Sequence, residues 1–131
     1  NQLENRQGVL NLAGVLNVLE LMNILGKAKA VVAASTGPLH IAAQLGVPTL
    51  GLYAPKKGLS PKRWGPLGSN AYAVSLKKCR SSSCSNYDCE CIKAITVEDV
   101  FESISQLMSG NVPKISSFRN KDIYEIWQGA L

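Results

Sequence analysis

The sequence contains no uninterrupted apolar run near the roughly 18 residues that a membrane-spanning helix needs, so no helical span is expected. Its first ten residues, Asn1 to Leu10, lack the basic-then-apolar pattern and cleavage site of an export signal, and a cytoplasmic location is expected. Aromatic residues make up only 6% of the chain, which leaves Val, Leu, Ile and Ala to build the core. That mixture suits a parallel sheet covered by helices better than an antiparallel sandwich. Charge is also sparse, at 18% of residues with a net +5. No basic helix or aromatic-interleaved strand accompanies it, which argues against nucleic-acid binding. Internal repeats are lacking as well.

What is present is 131 residues, 46% of them hydrophobic, enough for one domain with a real core. The basic residues gather in two places, Lys56-Lys57 with Lys62-Arg63, and Lys77-Lys78 with Arg80. Such clusters attract phosphates or the anionic inner face of a membrane, the second giving peripheral contact; the plainer alternative is a solvated loop.

Apolar patterning orders the elements. Val9 to Leu12 reads as a brief strand ending at Ala13-Gly14. Asn17 caps a helix, with Glu20 completing a box-like pair, apolar Val18, Leu21, Met22 and Leu25 at helical spacing, and Gly26 with Lys27 at its end. Ala30 to Ala34 has the all-apolar look of a buried strand, and Ser35-Thr36-Gly37-Pro38 leads from it into a helix closed by Gly46. Pro38 suits the first helical position. Thr49 to Tyr53 is another buried strand, Ala54 to Asn70 a surface loop without period, and Ala71 to Leu76 a further strand. Thr96 caps a helix with Val100, Phe101, Ile104, Leu107 and Met108 on one face. Pro113 to Ser117 is linker-like, and Lys121 to Leu131 reads as a terminal helix carrying Trp127. The alternation predicts an α/β fold, a partial Rossmann-like parallel sheet with flanking helices. Residues 1–112 would form the domain and 113–131 a linker with the terminal helix. So few strands, with none to start the sheet, imply that a preceding N-terminal part is missing.

The chemistry concentrates where the Ala30–Ala34 strand meets the next helix. Amides of Thr36, Gly37 and the first helical turn would lie unpaired at the carboxyl end of the sheet, where open α/β sheets bind ligands. A helix N-terminus attracts anions, and Gly37 lets a diphosphate approach the backbone closely. The plainer reading is a simple strand-to-helix turn, with His40 a hydrogen-bonded structural residue.

The course Ser35-Thr36-Gly37-Pro38-Leu39-His40, then Ala42-Ala43-Gln44-Leu45-Gly46-Val47-Pro48, then Arg63-Trp64-Gly65-Pro66-Leu67-Gly68, resembles glycosyltransferase family 9, the heptosyltransferases of lipopolysaccharide assembly. Leu12-Ala13-Gly14 upstream and the segment Cys91 to Val100 downstream extend the likeness. The resemblance implies a bacterial GT-B enzyme, two Rossmann-like domains across a cleft, of which this chain is the C-terminal, donor-binding one. It implies an ADP-heptose-like donor, a lipopolysaccharide or other glycan acceptor, and inverting, metal-independent transfer without a cofactor. Thr36, Gly37 and Leu39 would present amides to the donor diphosphate, with His40 bracing the turn. Leu16 would line the adenine pocket, and Glu20 would touch the ribose or serve only its cap. The family usually has Asp where this chain has Ser35, which bears on the sugar. The catalytic base is expected in the N-terminal domain, leaving this chain able to bind but not to turn over. A second reading is another GT-B relative such as a UDP-N-acetylglucosamine 2-epimerase; a third is a non-catalytic nucleotide-binding or zinc-stapled module.

Cys79, Cys84, Cys89 and Cys91 lie within thirteen residues. Their spacing departs from the usual zinc pairs, so reduced, unligated thiols are expected over a tetrahedral zinc site. The terminal helix needs cover for its apolar face, from another domain or from a second copy of the chain.

Overall fold

The computed structural model describes residues 6–56, 58–79, 90–114, 116, 118 and 124–129. In chain order the elements are α1 (Val18–Lys27), β1 (Val31–Ala34), α2 (Gly37–Gln44), β2 (Thr49–Tyr53), α3 (Pro61–Trp64), β3 (Ala71–Leu76), α4 (Glu90–Lys93), α5 (Val97–Met108) and β4 (Tyr124–Gln128). The four strands form one sheet in the order β1-β2-β3-β4. The first three are parallel, and β4 runs antiparallel along β3. The fold is α/β and Rossmann-like, as the alternation predicts.

Side chains alternate across the sheet and so divide the core in two. On one face Leu39 of α2 packs with Tyr53 and Ala73, with Ala33 and Trp127 against them. On the other, Leu50, Tyr72 and Leu107 of α5 form a cluster continued by Leu52, Val100 and Ile126. A further cluster joins Val74, Leu76, Cys91, Ile95, Phe118 and Tyr124. Phe118 meets Tyr124 edge-on, with ring centroids 5.3 Å apart. Every residue of β3 is buried, as befits a strand flanked on both sides and covered on both faces.

The capping signals fix the helix starts. The Asn17 side chain accepts from the Glu20 amide at 3.0 Å, and Glu20 Oε2 accepts from the Asn17 amide at 2.8 Å. Thr96 Oγ1 accepts from the Asp99 amide at 3.2 Å, opening α5.

Several expectations are corrected. Val9 to Leu12 is not a strand: Asn11 Oδ1 accepts from the Ala13 amide at 3.0 Å, a local turn that competes with extended pairing. Of the proposed α1 face only Leu25 is buried. Phe101 is 70% exposed, since α5 turns Val100, Ser103, Ile104 and Leu107 toward the sheet instead. The loop from Ala54 to Asn70 contains the single-turn helix α3. Pro38 is the second helical residue, not the first, because Thr36 is the cap.

The terminal helix is the largest correction. Residues 124–128 form strand β4 in the same sheet as β1 to β3. Tyr-Glu-Ile-Trp-Gln alternates, and β3 offers an open edge: Tyr124 and Ile126 point to the α5 face, Trp127 to the α2 face. Trp127 lies over Gly65, where an added Cβ would come within 2.2 Å of the ring. Over residues 124–128 there is therefore no apolar helix face calling for a second copy of the chain; residues 121–123, 130 and 131 of that expected helix lie outside the described residues.

Candidate functional site

Strand β1 ends at Ala34, and the chain bends through Ser35 and Thr36 into α2. All three residues of the bend, Ser35, Thr36 and Gly37, are exposed. Thr36 Oγ1 donates to the Ala34 carbonyl at 3.1 Å, holding the threonine in its capping conformation. Among the described residues no backbone carbonyl accepts from the amides of Thr36 or Gly37. The Leu39 amide differs from the expectation: it donates to the Thr36 carbonyl at 3.1 Å, and the Leu39 side chain is core. Gly37 has an ordinary φ, and a Cβ built on it would meet nothing within 4 Å. Its lack of a side chain thus leaves open space in front of the helix terminus.

That space is a cavity of about 520 Å³ with two walls. Ser35, Thr36, Gly37 and His40 form one, and Gly58, Leu59, Arg63 and Trp64 form the other. The second wall comes from the β2–β3 connection, shaped by α3. There Trp64 Nε1 donates to the Gly58 carbonyl at 2.8 Å, and the Arg63 guanidinium lies 5.5 Å from the Trp64 ring centroid. Tyr53, at the end of β2, joins the walls: its hydroxyl donates to the Trp64 carbonyl, and its phenol is also hydrogen-bonded to the Ser35 side chain. Burial pushes the Tyr53 pKa up, with the Ser35 bond opposing this.

The glycines of the Trp64-to-Gly68 turn have packing reasons. An added Cβ at Gly65 would lie 2.5 Å from the Pro61 carbonyl as well as on Trp127. Gly68, at φ +153, leaves 3.0 Å between such a Cβ and the Ala43 carbonyl of α2. Gln44 Nε2 reaches back to the Leu67 carbonyl at 3.1 Å. The turn is therefore clamped between α2 and β4, which fixes Arg63 and Trp64 just before it.

Of the residues singled out from sequence, Ser35, Thr36, Gly37 and His40 come together on the cavity. Pro38 stands beside them, half-buried. Leu16, also half-buried, and Glu20, whose carboxylate is engaged in the α1 cap, are not among the lining residues. Gly58, Leu59, Arg63 and Trp64 join the site from outside that set. Their signal in the sequence is the Lys62-Arg63 basic cluster beside the Trp-Gly-Pro-Leu-Gly run.

Cys84 and Cys89 lie outside the described residues. The sulfurs of Cys79, just past β3, and Cys91 on α4 are 3.6 Å apart, and neither forms a disulfide. No group of three or more metal-ligating side chains occurs among the described residues. No helix there is long and apolar enough to cross a membrane.

Residues 1–94 match the sequence profile of glycosyltransferase family 9 (heptosyltransferase). Among curated proteins, one of Haemophilus influenzae that bears the provisional title of glycosyltransferase is 42% identical over 36 residues. That stretch is 28% of this chain and 10% of the relative. No solved structure matches.

Proposed function

We propose, for a chain that belongs to glycosyltransferase family 9, that the β1–α2 bend cradles the diphosphate of a nucleotide-sugar donor. One observation carries the reading: among the described residues, no backbone carbonyl takes the amides of Thr36 and Gly37, and the cavity they border has no carboxylate in its lining. Two amides at the positive end of α2 favour an anion, and a cavity of about 520 Å³ lies in the range of small-molecule sites. The missing Cβ of Gly37 lets phosphate oxygens reach the amides.

On this reading the chain is the donor-binding part of a GT-B enzyme that transfers heptose or a related sugar from an ADP-heptose-like donor to a lipopolysaccharide core or similar glycan. Ser35 stands where the family usually has Asp, and its side chain is hydrogen-bonded to Tyr53. A neutral group fixed in this way repels the donor phosphates less than a carboxylate would. His40 borders the cavity on the same side and completes that wall. On the same reading the base that deprotonates the acceptor belongs to the acceptor-binding part of the enzyme, outside this cavity. Inverting, metal-independent transfer is part of the same proposal.

Calorimetry and thermal unfolding with ADP and UDP test it. At one hundred times its Kd, ADP should raise the unfolding free energy by about 2.7 kcal/mol. Stabilisation by UDP instead would point to a UDP-sugar relative. Stabilisation by neither would end the donor-site reading.

A further inference from the structure

We infer that Arg63, held against Trp64, is the charge-selecting residue of this cavity and makes it prefer a diphosphate to a monophosphate. The inference rests on the donor reading of the same site and goes on to assign its second wall. Among the described residues of the lining, Arg63 carries the only full positive charge and none is a carboxylate. Among the described residues no acidic side chain forms an ion pair with Arg63. Its guanidinium lies over the Trp64 ring, 5.5 Å from the centroid. A ring face offers the guanidinium no hydrogen-bond acceptor of its own, so its N–H groups are left for phosphate oxygens.

The platform is itself secured. Trp64 is 48% exposed, yet its indole nitrogen donates to the Gly58 carbonyl at 2.8 Å, its amide to the Ser60 carbonyl at 3.2 Å, and its carbonyl accepts from Tyr53. The indole bond holds the ring and the two backbone bonds hold the turn that carries it, so the surface beneath the Arg63 guanidinium is secured. A phosphate at the bend and a second facing Arg63 would use both walls. A monophosphate engages one wall only, so it forgoes the charge-assisted contact with the guanidinium.

The test is calorimetry of this chain with ADP and AMP, and with UDP and UMP, at one ionic strength. Wild type should bind the diphosphate more tightly than its monophosphate. Arg63→Gln should weaken the diphosphate by about tenfold or more, the cost of a hydrogen bond to a charged group, while the monophosphate changes by less than about twofold. Lys62→Gln removes the same charge from a neighbour that does not line the cavity, and should leave the ratio unchanged. Arg63→Lys keeps the charge without the planar fork and should fall between wild type and Arg63→Gln. Arg63 is exposed, so these variants should melt as wild type does. If wild type binds a diphosphate and Arg63→Gln keeps the same ratio, this inference falls and the donor reading stands. If wild type binds no nucleoside diphosphate, both fall.

Discussion

The Tyr53 hydroxyl donates a hydrogen bond to the Trp64 carbonyl, so the last residue of β2 holds the helix that forms the far wall of the cavity. The same phenol is hydrogen-bonded to Ser35 in the near wall. Tyr53→Phe keeps the ring that packs on Leu39 and removes both bonds. It should cost about 1 kcal/mol of stability and weaken donor binding, measured by denaturant titration and calorimetry.

That residue also sets a pH dependence. Burial raises the native pKa of Tyr53 above its ordinary 10.0, so the folded chain holds this proton more tightly than the unfolded chain. The resulting stabilisation is complete below the unfolded value and is lost as pH climbs through the raised native one. Melting temperature should therefore drop on the alkaline side of pH 10.0 more steeply for wild type than for Tyr53→Phe.

Gly37→Ala separates binding from folding. The new methyl meets nothing within 4 Å, and the glycine has no left-handed φ to lose. Alanine in a first helical turn should leave stability equal or higher by up to about 1 kcal/mol. Affinity for a nucleoside diphosphate should fall, since the methyl occupies the approach to the amides. A variant that binds as wild type does would contradict the cradle.

Gly65→Ala should do the opposite and damage the fold. Its Cβ would lie 2.2 Å from Trp127 and 2.5 Å from the Pro61 carbonyl. The tryptophan could move, but the carbonyl belongs to α3 and cannot. A loss of about 1–3 kcal/mol is expected, and pairing with Trp127→Leu should restore only part of it, as read by thermal unfolding.

Asn17→Ala removes one half of the reciprocal cap at the start of α1. The expected loss is about 1 kcal/mol. Because α1 buries only Leu25, hydrogen exchange should report it as local opening of α1.

Strands β1, β2 and β3 and the starts of α1, α2 and α5 could be read from sequence because local chemistry decides them: apolar runs, a Pro in the first turn, side-chain caps. The tail could not be read that way. Tyr124 to Gln128 is short enough to serve as either helix or strand, and a long-range fact, the open edge of β3, made the choice. Phe101 fits the helical stripe by spacing alone, yet the narrow contact of α5 with the sheet leaves it outside. The bend at Ser35 was legible because strand, hydroxyls, glycine and proline are contiguous. Its opposite wall was not, since Gly58, Leu59, Arg63 and Trp64 reach the cavity only through the α3 turn and the Tyr53 bond.

Strands β1 and β2 are immediate neighbours, paired as far as Ala34 with Leu52. Each side of the cavity thus grows from a strand whose distance from the other is fixed by ladder hydrogen bonds, near 4.8 Å. The roots of the two walls are therefore held at a set spacing. On the donor reading, a ligand would meet walls already anchored at their base, which lowers the ordering cost of binding.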